Sequence, residues 1–113
     1  MDAVSAILTL KALDGLSMRA DVTAQNIANA GTPGYRPLRV SFEQALTQAA
    51  LQGESAVQAV TPMIERDSAA IDQGLRLDLE MATASSTAMR YGALIEVLSR
   101  QMQIDALAAS GNN

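Results

Sequence analysis

The chain has 113 residues, 49% of them apolar, and a net charge of −4 from 8 basic and 12 acidic residues. It contains neither Cys nor His, which excludes disulfides and thiolate chemistry and removes the commonest general base and the commonest metal ligand. The scattered basic residues argue against nucleic acid as a partner, and with 21 Ala and three aromatic residues the core of a single chain would be thin.

A long amphipathic helix over residues 2–29 is the first predicted element. Its apolar residues recur in steps of three and four, the period of one helix face, and form a seven-residue repeat with one polar interruption. We expect the helix to end in Asn29-Ala30-Gly31, where Asn or Gly can adopt the left-handed conformation that closes a helix. The repeat consists of Ala6, Leu10, Leu13, Ser17, Ala20, Ala24 and Ile27.

A type II turn is predicted at residues 32–35, directly after this helix. Pro33 presets φ at the second position of the turn, and Gly34 can take the positive φ that the third position requires. Residues 30–76 as a whole are predicted to form an irregular, turn-rich insert.

Within this insert, a short helix is predicted near residues 42–52. Ser41 and Gln44 fit a capping box at its start, with Ser at the cap and Gln three residues later. Residues 54–76 show no periodicity and are predicted to be loop, with room for a short extended piece at Val57–Thr61.

A second long helix is predicted over residues 77–109. Its apolar residues again step by three and four along the chain. Asp78 and Glu80 are interpreted as exposed carboxylates at the start of this helix, where the helix dipole favours negative charge. The repeat consists of Met81, Ala84, Ala88, Tyr91, Ile95, Leu98 and Met102.

These elements predict a mainly α fold of one domain, in which two long terminal helices form an antiparallel, coiled-coil-like hairpin around the insert. Each apolar stripe is wider than the seam between two helices needs, so we expect a further partner. The side chains expected at an assembly interface are Leu10, Leu13, Ala20, Ala24, Ile27, Met81, Ala88, Tyr91, Ile95, Leu98 and Met102.

No group of residues predicts catalysis. Ser and Thr have no His as a base, no pocket with a carboxylate pair is indicated, and the Gly-rich residues 31–34 lack the Lys and the preceding strand of a phosphate-binding loop. We therefore expect no enzyme, no cofactor, no metal and no small-molecule substrate. Asn26 stands out, because Asn is a poor interior helix residue, and a hydrogen bond to the following loop or to a partner is the interpretation.

The N-terminal helix has too many charges for a membrane or signal segment. Asp2 stands where a cleaved signal peptide carries positive charge, and Lys11 and Asp14 interrupt the apolar stretch that it requires. No stretch approaches the length of a transmembrane helix. Two basic residues against three acidic ones also give no basic face for anionic lipid. We expect a chain that is not inserted in a membrane and that, if exported, uses no cleaved signal.

Residues 24–35 resemble the N-terminal signature of bacterial flagellar rod and hook proteins. In that family a long helix ends in an Asn-Ile-Ala-Asn run that is followed by Thr-Pro-Gly-Tyr, and both runs are present here. Residues 26–35 are called the signature loop below. Its characteristic residues are Asn26, Asn29, Gly31, Thr32, Pro33, Gly34 and Tyr35.

The C-terminal helix is most similar to that of the proximal rod members of the family. Residues 77–81 look like the acidic sequence that leads into the family's C-terminal helix. The short insert excludes the distal rod and hook members, which carry extra β-domains. Two short rod proteins of the family remain as candidates. The C-terminal helix of this chain is most similar to that of one of them, and the other is kept as an alternative.

The resemblance implies a structural subunit of the flagellar basal-body rod, in the periplasm, exported by the flagellar type III apparatus. It implies helical assembly with copies of itself and other rod proteins through the terminal helices, with the loop from Gly31 to Arg39 in contact with neighbouring subunits. The adaptor FliE and the MS-ring are further partners implied by the resemblance. The same apolar stripes also fit a soluble helical adaptor or export-chaperone-like module that binds a partner helix.

Overall fold

The computed structural model describes residues 1–68 and 73–111, with side chains in the last helix from Arg76 onward. Residues 69–72, part of the predicted loop, and residues 112–113 lie outside the described residues. The chain is mainly helical, with long helices at both ends and a small antiparallel sheet. The elements in chain order are α1 (Ala3–Ala28), β1 (Leu38–Ser41), α2 (Glu43–Ala50), α3 (Glu54–Gln58), β2 (Met63–Arg66) and α4 (Gln73–Gly111).

Asp2 caps α1, which therefore begins at Ala3, one residue later than predicted. Its carboxylate accepts a hydrogen bond from the backbone N–H of Ser5 at 2.7 Å, which satisfies one of the free donors of the first turn. The same hydrogen bond lowers the pKa of Asp2.

α1 ends at Ala28, but the prediction of a left-handed closing residue is wrong. Asn29 has φ −104°, and Gly31 is not among the residues with positive φ. The N–H groups of Ala30 and Thr32 donate instead to carbonyls three residues back, at 3.1 and 3.0 Å. These tight turns use carbonyls at the end of the helix, so a left-handed residue is not needed there.

The predicted type II turn is confirmed. Gly34 has φ +75°, and the N–H of Tyr35 donates to the carbonyl of Thr32 at 3.2 Å. Because a side chain with a Cβ is strained at this φ, the turn depends on glycine at position 34.

The insert contains more regular structure than its lack of periodicity indicated. β1 and β2 pair in antiparallel fashion, with Val40 opposite Ile64. The extended segment therefore lies at Met63–Arg66, and the prediction of an extended piece at Val57–Thr61 is wrong, since its first residues belong to α3. Because β1 and β2 are separated in the chain by two helices, their pairing leaves no local pattern in the sequence.

The predicted capping box before α2 is also wrong. Ser41 is the last residue of β1, paired with Met63, and Phe42 precedes the helix without a side-chain hydrogen bond. Because the strand extends through Ser41, its hydroxyl is not at the cap position, and Gln44 has no capping partner there.

The hydrophobic core lies between α1 and the insert. Phe42 packs so closely on α1 that a Cβ at Gly15 would lie 2.5 Å from a ring carbon of Phe42. The insert thus covers part of the buried surface of α1, which α4 also contacts. The core cluster consists of Leu16, Val22, Val40, Phe42, Leu46, Ala49 and Val57.

α4 packs along α1 and runs in the opposite direction. Asn26 near the end of α1 contacts Glu80, whereas Leu8 near its start shares a groove with Leu94. Because Asn26 lies beside Glu80, the start of α1 at Ala3 lies near residue 103 of α4. Roughly the last two turns of α4, which ends at Gly111, therefore extend past the start of α1. Neither of these helices has a stretch apolar enough to cross a bilayer.

We expect Gly15→Ala to lower the free energy of unfolding by about 1–2 kcal/mol, although Ala favours the helix, because its methyl group overlaps the Phe42 ring. Urea-induced unfolding measures the change. Gly92→Ala is the matched control, since a Cβ there meets no heavy atom within 4 Å, and should stabilise by up to about 1 kcal/mol. Equal changes at both positions would contradict the close contact of Phe42 with α1.

Candidate assembly interface

Asn26 is the centre of a buried polar network that joins the end of α1 to the insert and to α4. Its Nδ2 donates to the carbonyl of Leu38 at 2.8 Å and to Oε2 of Glu80 at 3.1 Å. Its Oδ1 accepts from the N–H of Leu38 at 2.9 Å and from the hydroxyl of Tyr35 at 3.0 Å. The amide thus uses its full hydrogen-bonding capacity, and the predicted bond to the following loop is confirmed.

Glu80 is fully buried, so its interpretation as an exposed carboxylate at the helix start is wrong. α4 begins at Gln73, which puts Glu80 about two turns into the helix. Its Oε1 pairs with Nη1 of Arg39 at 2.7 Å, and Arg39 also pairs with Asp67 at 3.2 Å. A buried carboxylate requires such partners, so Arg39 on β1 helps to determine where α4 packs. Asp78 is exposed as predicted.

Arg76 is a buried cation at the C-terminal end of α1. Its Nη1 donates to the carbonyl of Tyr35 at 2.6 Å. Its Nη2 donates to the carbonyls of Asn29, at 3.0 Å, and Ala30. A cation is favourable at this end of a helix, where carbonyls lack partners within the helix. α4 therefore fixes both the end of α1 and the end of the signature loop.

Two arginines contact the ring of Tyr35, the last residue of the signature loop. The guanidinium carbons of Arg66 and Arg76 each lie 5.5 Å from the ring centroid, within the range of a cation–π contact. With its hydroxyl bound to Asn26, the side chain of Tyr35 is held at both ends.

The signature loop has fixed ends and an exposed tip. Asn26 is buried, Asn29 and Tyr35 are half-buried, and the four residues 31–34 are exposed. Thr32 Oγ1 lies 3.3 Å from Oδ1 of Asn29, a bond within the loop itself. The polar side chains of the signature thus form hydrogen bonds that hold the loop in one conformation.

A second polar contact joins α1, α2 and α4. Glu43 accepts two hydrogen bonds from Arg19, at 2.6 and 2.8 Å, and lies 3.3 Å from Nη1 of Arg90. Arg19 also donates to the carbonyl of Val40 and lies 4.8 Å over the Phe42 ring. The hydrogen bond from Arg19 is the main cause that lowers the pKa of Glu43 to about 2, from 4.5.

This shift predicts part of the acid sensitivity of the fold. Since the pKa of Glu43 is lower in the folded chain, its contribution is present above about pH 4.5 and is lost as pH falls toward 2. We expect Glu43→Gln to lower the free energy of unfolding at neutral pH by less than about 1 kcal/mol, because the pair of Arg19 and Glu43 is partly exposed. Between these two pH values, the variant should also lose less stability than the native chain. Urea unfolding across pH tests this, with Glu96→Gln as control for an exposed ion pair. A variant curve parallel to that of the native chain would refute it.

The predicted apolar repeats of the two long helices lie side by side on one open side of the helix pair. Between them runs a groove of about 380 Å³, called the helix groove below. Met81, Ile95 and Met102, which lie on one side of α4 because their spacing is 14 and seven, are 56, 42 and 63% exposed. Residues lining the groove include Leu16, Ser17, Ala20, Ala84, Ala88 and Tyr91.

The residues predicted at the assembly interface divide by exposure. Leu13 is buried, and Ile27 and Leu98 are half-buried, so these three contribute to the fold of the single chain. The remainder can be reached by a partner without unfolding. The exposed members are Leu10, Ala20, Ala24, Met81, Ala88, Tyr91, Ile95 and Met102.

Sequence reasoning missed the charged residues of the network. The spacing of four between Arg76 and Glu80 puts both on one helix face, which was an available signal. That this face is covered depends on the position of α1 and on Arg39 in β1, neither of which leaves a pattern near α4 in the sequence.

A comparison with known families matches the segment that this network holds in place. Residues 10–36 match the sequence profile of the family described as flagella basal body rod protein. The matched segment comprises most of α1 and the whole signature loop. No curated protein sequence matches the chain. Over these residues the chain is similar to the flagellar basal-body rod proteins.

Proposed function

We propose that the chain is a subunit of the proximal rod, of the kind called FlgB, and that residues 1–113 act as one rod-type domain. It polymerises through its terminal helices in a coiled-coil layer and couples the MS-ring to the rest of the rod. The observation that carries this proposal is the exposure of most residues of the predicted apolar repeats on a chain that bears the rod signature.

The exposed face of the helix pair supports assembly through the helices. Met81, Ile95 and Met102 form an apolar row, and large exposed apolar patches commonly mark interaction sites. A strict seven-residue spacing is the pattern that packs helices in a left-handed supercoil. The interface residues named from the sequence, from Leu10 on α1 to Met102 on α4, are therefore proposed as contacts between subunits.

The signature loop supports a second contact with neighbouring subunits. Asn26 and Arg76 hold its ends, while residues 31–34 are exposed. A loop that is already ordered loses little conformational entropy when a partner binds. We assign the tip of the loop to contacts along the assembly.

The compact insert supports a proximal rather than a distal position. The chain between α1 and α4 has room for two short strands and two short helices but not for an added β-domain. The second short rod protein, FlgC, remains the alternative within the family. In either case export through the flagellar type III apparatus, without a cleaved signal and into the periplasm, is part of the proposal.

The proposed partners are other copies of the chain, other rod proteins, the adaptor FliE and the MS-ring. No nucleic acid, cofactor, small-molecule substrate or enzymatic reaction is part of this function, and the chain is not inserted in a membrane. A soluble adaptor or export-chaperone-like module is the alternative, since the open helix groove would also accept a partner helix.

Quantitative mass spectrometry of purified basal bodies distinguishes these functions. A rod subunit is present in a few copies for each basal body, whereas an adaptor is found in the cytosol with its partner. Abundant cytosolic chain with none in basal bodies would reject the rod function.

A variant pair tests the exposed face itself. Ile95→Asp should leave the chain folded, because this side chain is 42% exposed, but should strongly reduce its amount in basal bodies by placing a charge in a dry contact. Met89→Asp is the matched control, since Met89 is 75% exposed and lies outside the predicted repeat. Equal incorporation of both variants would contradict assembly through this face.

A further inference from the structure

The helix groove is an apolar depression that no described residue fills. It is lined by small residues of both helices, such as Ala20 and Ala88, and by Leu16 and Tyr91. Side chains of a third helix can enter a groove of this kind between two packed helices.

The end of α4 carries a second apolar stripe on its far side. Val97, Ile104 and Leu107, called the tail stripe below, are 49, 57 and 73% exposed. At about 100° per residue, Ile104 projects from the opposite side of α4 to Met102. Roughly the last two turns of α4 extend past the start of α1, so α1 cannot cover this end.

Charges beside the two surfaces are complementary. Arg100 lies beside the tail stripe and is 73% exposed, and it pairs with the exposed Glu96 one turn away. Asp14 and Asp21 lie two turns apart on the exposed side of α1, and Asp21 is next to Ala20 of the groove. Neither aspartate makes an ion pair within the described part of the chain.

We propose that the tail stripe of a second copy of this chain occupies the helix groove, with Arg100 of that copy beside Asp21 or Asp14. The inference rests on the proposed function, because it specifies how copies contact one another. The groove and the tail stripe are different surfaces of one chain, so the contact is heterologous. Each copy offers its own tail to the next, and the assembly extends instead of closing into a dimer.

Engineered thiols test this contact, because the chain has no cysteine. Purified full-length Ala88→Cys and Ile104→Cys chains are mixed at high concentration and treated with a short bis-maleimide. We expect mixed dimers about tenfold more abundant than with Met89→Cys and Ile104→Cys, a ratio that corresponds to roughly 1.4 kcal/mol. Met89 adjoins Ala88, is 75% exposed and lies outside the groove lining.

The charge pairing is tested in the same assay. Arg100→Glu on the tail copy should lower the yield of mixed dimers about threefold, and Asp21→Arg on the groove copy should restore it. Equal yields with Ala88→Cys and Met89→Cys, or Ile104→Cys copies that link mainly to each other, overturn the proposal. A chain found in basal bodies that fails this cross-link overturns the contact alone. Copies that cross-link as expected but are absent from basal bodies support the contact and overturn the proposed function.

Discussion

Replacing Asn26 with Ala should lower the free energy of unfolding by about 3 kcal/mol. The substitution removes four hydrogen bonds from a fully buried site and leaves the N–H and carbonyl of Leu38 and the hydroxyl of Tyr35 without partners. Each buried polar group that loses its partner costs about 1–3 kcal/mol. Urea unfolding of the purified chain measures the loss.

Asn29→Ala is the matched control for this prediction. Asn29 belongs to the same signature but is half-buried, and its side chain bonds to the carbonyl of Gln25 within its own helix. We expect a loss of about 1 kcal/mol or less at this position. If the two variants lose equal stability, the proposed central role of Asn26 is wrong.

Arg76→Met should destabilise the chain by at least about 3 kcal/mol. It leaves the carbonyls of Asn29, Ala30 and Tyr35 without their buried cationic donor. Hydrogen exchange should show faster exchange of the amides of the signature loop, while α2 keeps its protection.

Arg66→Met tests whether Arg76 stabilises the chain through its buried hydrogen bonds or only through its contact with the Tyr35 ring. Arg66 lies at the same distance from the Tyr35 ring but is exposed and bonds to the carbonyl of Arg36. We expect a loss below about 1 kcal/mol, typical of exposed charged contacts. Equal losses for the two arginines would show that the buried hydrogen bonds of Arg76 do not hold the loop.

These expectations depend on residues that the sequence identified to different degrees. Asn26 could be singled out from the sequence, because an Asn inside an amphipathic helix needs a reason to be there. Gly34 could be assigned a positive φ, because Pro33 and Gly34 together specify one type of turn. Both signals are local, within a few residues of the structure that they predict.

The apolar repeats show where local reasoning stops. They correctly indicated two long helices with more apolar surface than the contact between the two helices covers. They could not show which side of each helix meets the other, because the insert packs on α1 through Phe42 and Val40 and takes part of that face. The predicted stripes consequently border an open groove, and residues such as Met81 and Ile95 are exposed in the single chain.

The sequence by itself determined the two long helices, the turn at Gly34 and the signature that matches the rod family, since each depends on period, backbone conformation or a contiguous motif. Tertiary structure alone decided that Glu80 is buried beside Arg39, that Arg76 binds the end of α1, and that β1 pairs with β2. These contacts join residues 22 to 47 positions apart. No local pattern records such distances, because the free energy of a buried ion pair or a strand pair depends on what the rest of the fold brings beside it.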